Sequence, residues 1–299
     1  MRDDFDAKWH ELAEEVMSGM KEWRLKHPRA TLCEIESALD ERLGKMRARM
    51  LADTALASAA TEMTRSEGGE GWRCPACGKE LEMRGKQERL LTSQYNQSLR
   101  IERRYVYARN VKRVFSPLDE ELDLLPGALT PSLQEDIVRL GTWMPFRRAV
   151  GEVQHFRHTD VSKSTIERLT EKAGAAYVAV QNSEVERVER ELPTPPQGSA
   201  QQFLSVDGAM VPVVGGEWAE VRTLVIGDVL PPQQVKGEQI VRTANHSYFS
   251  RMLDANTFER LALVETQRRG VETAQAVAAV TDGAEWIQKF IDHHRFDAV

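Results

Sequence analysis

The sequence contains little cysteine and no long apolar run. Its three cysteines, Cys33, Cys74 and Cys77, are too few for a disulfide framework, so we expect a reducing compartment, the cytoplasm. No stretch of about 18 apolar residues is present that would cross a bilayer. The first residues, MRDDFDAKWHELAEE, are acidic and helical in pattern, which is unlike a signal peptide. Secreted disulfide scaffolds and membrane-spanning proteins are therefore disfavoured.

Negative charges outnumber positive charges overall, but the positive charges are concentrated in one stretch. The net charge is -6, whereas residues 73–115 hold 11 Lys or Arg against 4 Glu. That local excess of +7 leaves -13 for the rest of the chain. A basic module in an acidic protein is the distribution expected when one face meets phosphates.

Composition and periodicity divide the 299 residues into four regions. Apolar residues at helical spacing predict an N-terminal helical region over residues 1–65, broken by Pro28 and restarted by a capping box at Thr31 and Glu34. A basic module follows over 72–119, and short helices over 128–190. The proline-rich stretch 191–202 separates these from strands and helices over 202–299. The pattern predicts an α+β multidomain protein.

The basic module begins with Cys74-Pro-Ala-Cys77-Gly, the usual first half of a zinc ribbon. At the place of the second cysteine pair the sequence has Ala108 and Val111, and His155 and His158 lie too far along to replace it. We therefore expect a degenerate zinc-ribbon-like hairpin packed through apolar residues such as Leu90 and Ile101, with Zn²⁺ at Cys74 and Cys77 doubtful. Six cations of the hairpin would contact DNA phosphates: Arg100, Arg103, Arg104, Arg109, Lys112 and Arg113. The alternative is a charged, solvated sheet edge.

The helices at 132–142, 145–156 and 161–188 have the order of a helix-turn-helix motif. In VSKSTIERL the last helix begins with Ser162, Lys163, Ser164 and Thr165, the position from which such helices contact DNA. Ile166 and Leu169 would form its packed side.

Two Asp-Gly pairs follow apolar runs in the last region. Asp207 closes the run in QFLSVDGAMVPVV, and Asp282 closes the run in AVAAVTDGAEW. Strands at 203–214, 220–227 and 239–248, then a helix, a strand at 276–280 and a helix, give the order that opens a ribonuclease H-like domain. If the strands of Asp207 and Asp282 are neighbours, two carboxylates can hold Mg²⁺ or Mn²⁺ for phosphoryl transfer. The alternative is that both Asp-Gly pairs are hairpin turns.

Several segments, taken in order, resemble one family. They are CPACGK, FSPLDEELDL, VSKSTIERL, SVDGAMVP and TDGAEWI, which are similar to the Kra-type bacterial insertion-sequence transposases of the DDE class. The resemblance runs from about Trp72 to the last residue and is most specific at SVDGAMVP and TDGAEWI.

The resemblance implies a nucleoid-associated bacterial enzyme that cuts the terminal repeats of its own element and joins them to target DNA. It matches Asp207 and Asp282 to the first two catalytic, magnesium-binding acids of a DDE site and implies a homo-oligomer on DNA. The third acid of such enzymes lies on a helix that follows a further strand. Glu285 and Asp292 do not match it, because they belong to the helix that directly follows Asp282. The sequence ends at FDAV, which we interpret as the start of a further strand, so we expect an incomplete ribonuclease H-like domain and impaired activity.

Two other interpretations remain open. The first is a non-catalytic DNA-binding or regulatory protein derived from a transposase, in which the sheet serves only oligomerisation or regulation. The second is a ribonuclease H-like RNase or a resolvase, which would share the acids but would not explain the basic hairpin.

Overall fold

The computed structural model describes residues 5–61, 72–73, 80–108, 112–295 and 297–299. The chain forms two compact units, Met1–Ala173 and Gly174–Val299. The division falls inside the last helix of the helical region rather than in the proline-rich stretch. The helix is divided between the units because its residue Val185 belongs to the hydrophobic core of the second unit.

Two long helices open the first unit, as their periodicity predicted. Helix α1 (Asp6–Lys26) ends before Pro28, and α2 (Leu32–Leu56) begins at the predicted capping box. There Thr31 Oγ1 accepts a hydrogen bond from the Glu34 amide, and the Glu34 carboxylate accepts one from the Thr31 amide. The two helices are joined by the Trp9 indole, which donates to Asp53 at 3.1 Å.

An antiparallel sheet follows, with strands in the order β1 (Trp72–Arg73), β2 (Glu80–Thr92), β3 (Ser98–Ala108) and β4 (Arg113–Phe115). One face of this sheet is buried near the turn between β2 and β3, and the opposite face is buried near the other end of these strands. Leu99 and Ile101 pack on Ala48 and Ala52 of α2 and on Leu118 of the short helix α3 (Pro117–Glu121), whereas Val106 and Ala108 are buried with Leu81 on the other face. The prediction that Leu90 packs in this core was wrong: Leu90 is 51% exposed, and its neighbour Leu91 is buried, because side chains alternate across a strand.

Two helices and the start of a third complete the first unit: α4 (Pro131–Trp143), α5 (Phe146–Arg157) and α6 (Lys163–Glu191), which continues into the second unit. Their shared core consists of Leu133, Ile137, Ala149, Val153, Ile166 and Leu169, so the predicted packed side of α6 is confirmed. Gly141 lets α4 approach α6, since a Cβ at this position would overlap Thr170 Oγ1. Helix α5 ends at His158, whose left-handed φ of 48° turns the chain toward α6.

The second unit is built on a mixed sheet. Its strand order is β10 (Ala276–Ala279), β5 (Gln201–Pro212), β6 (Trp218–Val229) and β9 (Thr243–Arg251), with β10 parallel to β5 and the other pairs antiparallel. A separate hairpin is formed by β7 (Gln233–Val235) and β8 (Glu238–Ile240). The predicted single strand over 239–248 was therefore wrong: residues 241–242 divide it between this hairpin and β9.

Helices cover one face of the mixed sheet. Leu204 and Val206 of β5 are buried against α7 (Ala255–Arg268) and α8 (Glu285–Arg295), through Phe258 and Phe290. The opposite face, called the open face below, is lined at alternate positions by Phe203, Ser205 and Asp207 of β5, Thr223 and Val225 of β6, and Tyr248 and Ser250 of β9. The fold is thus mixed α/β, and Asp207 lies on the face that α7 and α8 do not cover.

Within the described ranges, no helix is both long and apolar enough to cross a membrane.

A buried histidine ties α8 to α7. His294 packs on Phe290 with ring centroids 4.5 Å apart, and its Nε2 lies 2.9 Å from the Glu259 carbonyl oxygen. That carbonyl only accepts, so Nε2 carries the proton and Nδ1 accepts from the Thr266 hydroxyl at 3.3 Å. Burial lowers the pKa of His294 to about 4, since charging the ring would cost solvation.

This histidine predicts a loss of stability in mild acid. Its pKa is about 4 when folded and near 6.5 when unfolded, so the unfolded chain binds more protons between these values. The contribution is complete above pH 6.5 and is lost as pH falls through that window, on the order of 2 kcal/mol. We expect the melting temperature of His294→Phe to fall less between pH 7 and pH 4 than that of the parent chain. The exposed neighbour His293→Gln serves as control, and equal slopes for all three proteins would contradict the assignment.

Candidate functional site

The first candidate site lies at one edge of the mixed sheet. Ala279 of β10 is paired with Leu204 of β5, and the Val280 amide donates to the Leu204 carbonyl at 2.9 Å. Asp207 and Asp282 each lie three residues beyond this last pair, in the same chain direction. Neighbouring strands are about 4.8 Å apart. The strands that carry the two predicted acids are therefore neighbours. Asp282 follows the end of β10, whereas Asp207 lies inside β5 and is paired with Thr223, so the prediction that it closes its strand was wrong.

Each carboxylate is exposed and held by a local backbone bond. Asp207 Oδ1 accepts from the Gly208 amide at 2.7 Å. Asp282 Oδ1 accepts from the Ala284 amide at 3.0 Å, just before α8, and Gly283 supplies the φ of 80° that this turn requires. The carboxylates are thus fixed to a paired strand and to a helix start while remaining accessible.

Two hydroxyl groups extend the row of Asp207 across the open face. Thr223 is the register partner of Asp207, and Ser250 is the register partner of Thr223. The two hydroxyls share a hydrogen bond of 2.9 Å. Sequence reasoning missed both, because they belong to no motif and because the register that aligns β6 and β9 with Asp207 is set only in the folded sheet.

Nearby acids do not join this row. Glu220 lies on the covered face and pairs with Arg222. Its register partner Met210 is three residues from Asp207, and side chains alternate between the two faces along a strand. Glu285 and Asp292 are on α8, where Glu285 lies 4.0 Å from Lys289 and Asp292 accepts from Gln288. Among the residues described, no group of three or more His, Cys, Asp or Glu is placed to hold a metal ion.

The donor set fits magnesium in type but not in number. Carboxylate and hydroxyl oxygens are the hard ligands that Mg²⁺ and Mn²⁺ prefer, and the row of Asp207 offers one carboxylate and two hydroxyls, to which Asp282 would add a second carboxylate. Two carboxylates would bind such an ion more weakly than three. Asp207 and Asp282 are the residues that would hold it.

The second candidate site is the basic hairpin of the first unit. Along one face of β2 and β3, charges of opposite sign alternate: Lys86 pairs with Glu102 at 2.7 Å, and Arg100 lies 3.9 Å from Glu88. Arg104 is the register partner of Lys86 on the same face. This face is a mixed ladder with one more positive than negative charge, so it gives less support to phosphate binding than the sequence suggested.

Arg103 is a correction to the predicted basic face. It lies on the opposite face with Leu99 and Ile101, it is 8% exposed, and it pairs with Asp119 of α3. Arg89 pairs with the same carboxylate at 3.2 Å. A buried arginine with a carboxylate partner holds α3 to the sheet and is not available to a phosphate in this arrangement.

The remaining predicted cations differ in setting. Lys112 and Arg113 are exposed at the start of β4, and Arg113 lies 3.3 Å from Glu120. Tyr105 and Tyr107 pack under Arg103 and Arg84, with each guanidinium carbon 5.0 Å from the ring centroid. Arg109, Val111, Cys74 and Cys77 lie outside the described residues, whereas Ala108 is buried at the end of β3.

The start of α6 presents the predicted polar cluster to solvent. Ser162 Oγ accepts from the Thr165 amide at 3.1 Å, which caps the helix, and lies 2.9 Å from both Ser164 Oγ and Thr165 Oγ1. Ser162, Lys163 and Ser164 are exposed, and Lys163 lies 3.5 Å from Glu167. An exposed helix start with hydroxyls and a lysine suits phosphate oxygens.

The tip of the β2–β3 hairpin, Ser93–Gln97, holds the turn before α6. Asn96 makes two bonds to Asp160, from its Nδ2 to the carboxylate at 2.8 Å and from the Asp160 amide to its Oδ1 at 2.9 Å. Tyr95 stacks on His158 with ring centroids 4.6 Å apart. The hairpin and the three helices therefore form one connected structure.

His155 and His158, whose spacing is ligand-like, are both exposed, and each contacts an aromatic ring. His158 stacks on Tyr95, and His155 contacts the ring of Phe156 edge-on at 4.9 Å.

Comparison with known proteins adds no relative to this picture. Neither a protein-family model nor a curated protein sequence matches the chain. The assignment of function therefore rests on the residues and the geometry described above.

Proposed function

We propose that this chain handles DNA as the resemblance to DDE transposases of the Kra type implies. Its first unit would bind DNA through the helix-turn-helix formed by α5 and α6, and its second unit would carry the acids of a ribonuclease H-like phosphoryl-transfer site. The observation that carries the proposal is the parallel pairing of β10 with β5, which puts Asp207 and Asp282 each three residues past the Leu204–Ala279 pair, on neighbouring segments. Two hairpin turns would not require this arrangement.

The proposed reaction has two steps on DNA. Water attacks a phosphodiester at the element end and displaces the 3′-oxygen, which leaves a 5′-phosphate on the flanking strand. The released 3′-hydroxyl then attacks a phosphodiester of target DNA and displaces a 3′-oxygen of the target strand. Asp207 and Asp282 hold their carboxylates at the exposed sheet edge through the Gly208 and Ala284 amides. When bound, divalent ions supply stabilisation of the charge that develops on the attacking and leaving oxygens.

The open face would orient the substrate beside these acids. The Thr223 and Ser250 hydroxyls continue the row of Asp207, and while one donates to the other, the second can donate to a phosphate oxygen. Their shared hydrogen bond fixes their orientation before substrate arrives.

A non-catalytic DNA-binding protein is the second candidate. It is favoured by the carboxylate count, because the described residues offer two acids at the sheet edge and no group of three. Both candidates use the first unit in the same way and differ in the role of Asp207.

Metal binding separates the two candidates. We expect Mn²⁺, followed by paramagnetic resonance, to bind the purified chain weakly and to lose at least about tenfold in affinity in Asp207→Asn and in Asp282→Asn. The exposed α8 carboxylate variant Asp292→Asn is the matched control. Affinity for a duplex DNA should stay within about twofold in all three, because the changes lie outside the first unit. Equal Mn²⁺ binding by parent and both variants would remove the catalytic proposal and leave the second candidate.

The start of α6 gives a test of DNA binding itself. We expect Lys163→Ala to weaken binding to a duplex and to reduce the slope of log affinity against log salt by about 1, the value for one lost phosphate contact. Lys45→Ala removes an exposed lysine of α2 and should leave the slope unchanged. If Lys163→Ala and the parent share one slope, this helix does not contact the DNA backbone.

The hairpin tip gives a test of positioning. Asn96→Ala removes both bonds to Asp160, so we expect the melting temperature to fall by several degrees and DNA affinity to fall more than tenfold with an unchanged salt slope. Asn96→Asp keeps one acceptor for the Asp160 amide but places two carboxylates together, so it should not restore affinity. Unchanged affinity in a destabilised Asn96→Ala would show that the tip supports the fold without orienting α6.

A further inference from the structure

Helix α2 carries a line of large apolar side chains that the rest of the first unit leaves uncovered. Leu32 is 70% exposed, Leu39 is 36% exposed and Leu43 is 43% exposed, while Met46 and Met50 continue the line and are partly exposed. We call these five residues the α2 stripe. The side of α2 that contacts the sheet is different and is made by Ala48 and Ala52. Exposed apolar side chains in a contiguous line are typical of an interaction surface.

The shape and spacing of the stripe fit a helix. Leu39, Leu43, Met46 and Met50 follow one another at intervals of four, three and four residues, which is the spacing of a coiled-coil seam. A groove of about 590 Å³ runs beside them, walled by Tyr95 and Gln94 of the hairpin tip on the far side. Gly44 lies at the floor of the groove and packs directly on the Tyr95 ring. Because glycine has no side chain, nothing at this position fills the groove.

The charges beside the stripe indicate that the partner helix is antiparallel and that it is α2 of a second copy of the chain. Asp40 and Arg47 are exposed and lie seven residues apart, at equivalent heptad positions on the groove side. When two α2 helices pair antiparallel, Leu43 meets Met46 of the partner and Leu39 meets Met50. The same register puts Asp40 of each protomer beside Arg47 of the other, so two opposite-charge pairs form. A parallel pair would instead bring Arg42 beside Arg47.

The other side of the seam does not cancel this preference. Arg42 and Arg49 face each other there in the antiparallel pair, but the charge of Arg49 is already balanced by a carboxylate of its own chain, whereas the partner that Arg47 has in its own chain, the Ser93 hydroxyl, is neutral. Arg49 lies 2.8 Å from Asp53, and Arg42 donates to the Ala38 carbonyl at 2.7 Å.

We propose that the α2 stripe binds the α2 stripe of a second copy of this chain, with the two helices antiparallel. The two-fold axis passes between residues 43 and 46 of each helix. This surface gives a location to the homo-oligomer that the sequence leads us to expect, and it does not depend on DNA or on the acids of the second unit.

The test is the mass of the full chain in solution without DNA. By light scattering we expect twice the chain mass of 33.8 kDa at concentrations up to about 100 µM, with dissociation on dilution. Leu39→Glu combined with Leu43→Glu should give the monomer mass with an unchanged circular dichroism spectrum. The matched control Leu90→Glu changes a leucine of similar exposure on β2 and should remain dimeric. A monomeric parent chain, or a dimer that persists in the double variant, would overturn the proposal.

A charge exchange tests the antiparallel register even if the double glutamate variant fails to fold. Asp40→Arg alone and Arg47→Asp alone should each weaken the dimer at least about fivefold, since each creates two like-charge contacts. The combined exchange restores both pairs and should return the dissociation constant to within about twofold of the parent value. A combined variant as weak as either single one would rule out this register. DNA affinity is not measured in either experiment, so their failure leaves the proposed function standing.

Discussion

The parallel pairing of β10 with β5 is the constraint on which the candidate site depends. Parallel neighbours need a long connection, and here β6, β9 and α7 lie between them in the chain. Phe258 of α7 and Phe290 of α8 bury against Leu204 and Val206, which holds this connection on one face of the sheet. If β10 had joined the sheet beside β9 instead, Asp282 would lie three strands from Asp207, roughly 14 Å away. Apolar packing on the covered face thus decides the position of two polar groups at its edge.

The first unit depends in the same way on contacts that have no catalytic or binding chemistry of their own. The hairpin tip lies between α2 and the turn before α6: Arg47 donates to Ser93 Oγ at 3.0 Å, and Asn96 binds Asp160 on the other side. Three residues at this junction, Tyr95, Asn96 and His158, have left-handed backbone conformations. Such conformations cost free energy and persist where surrounding contacts hold them. The start of α6 is therefore positioned by a loop that is itself fixed on two sides.

Charge in this protein serves structure as much as recognition. The basic stretch of residues 73–115 contains Arg103, which pairs with Asp119 under the sheet, and Lys86 and Arg100, whose charges are matched by Glu102 and Glu88. Composition counts charges but does not show where their partners lie. Candidates for contact with phosphate are consequently fewer than the count of cations. Lys163 also has a glutamate 3.5 Å away, so it is the exposed hydroxyl cluster that distinguishes the start of α6.

The sequence by itself determined most of the helices, the capping box of α2, the strand that carries Asp207 and the helix order around Ser162, because periodicity, caps and breakers act within a few residues. It did not determine that Leu91 rather than Leu90 enters the core, that residues 241–242 interrupt a strand, or that Thr223 and Ser250 join the row of Asp207. Those outcomes depend on strand parity and register between segments far apart in the chain. Only the folded sheet, in which distant strands are fixed side by side, decides which side chains share a face.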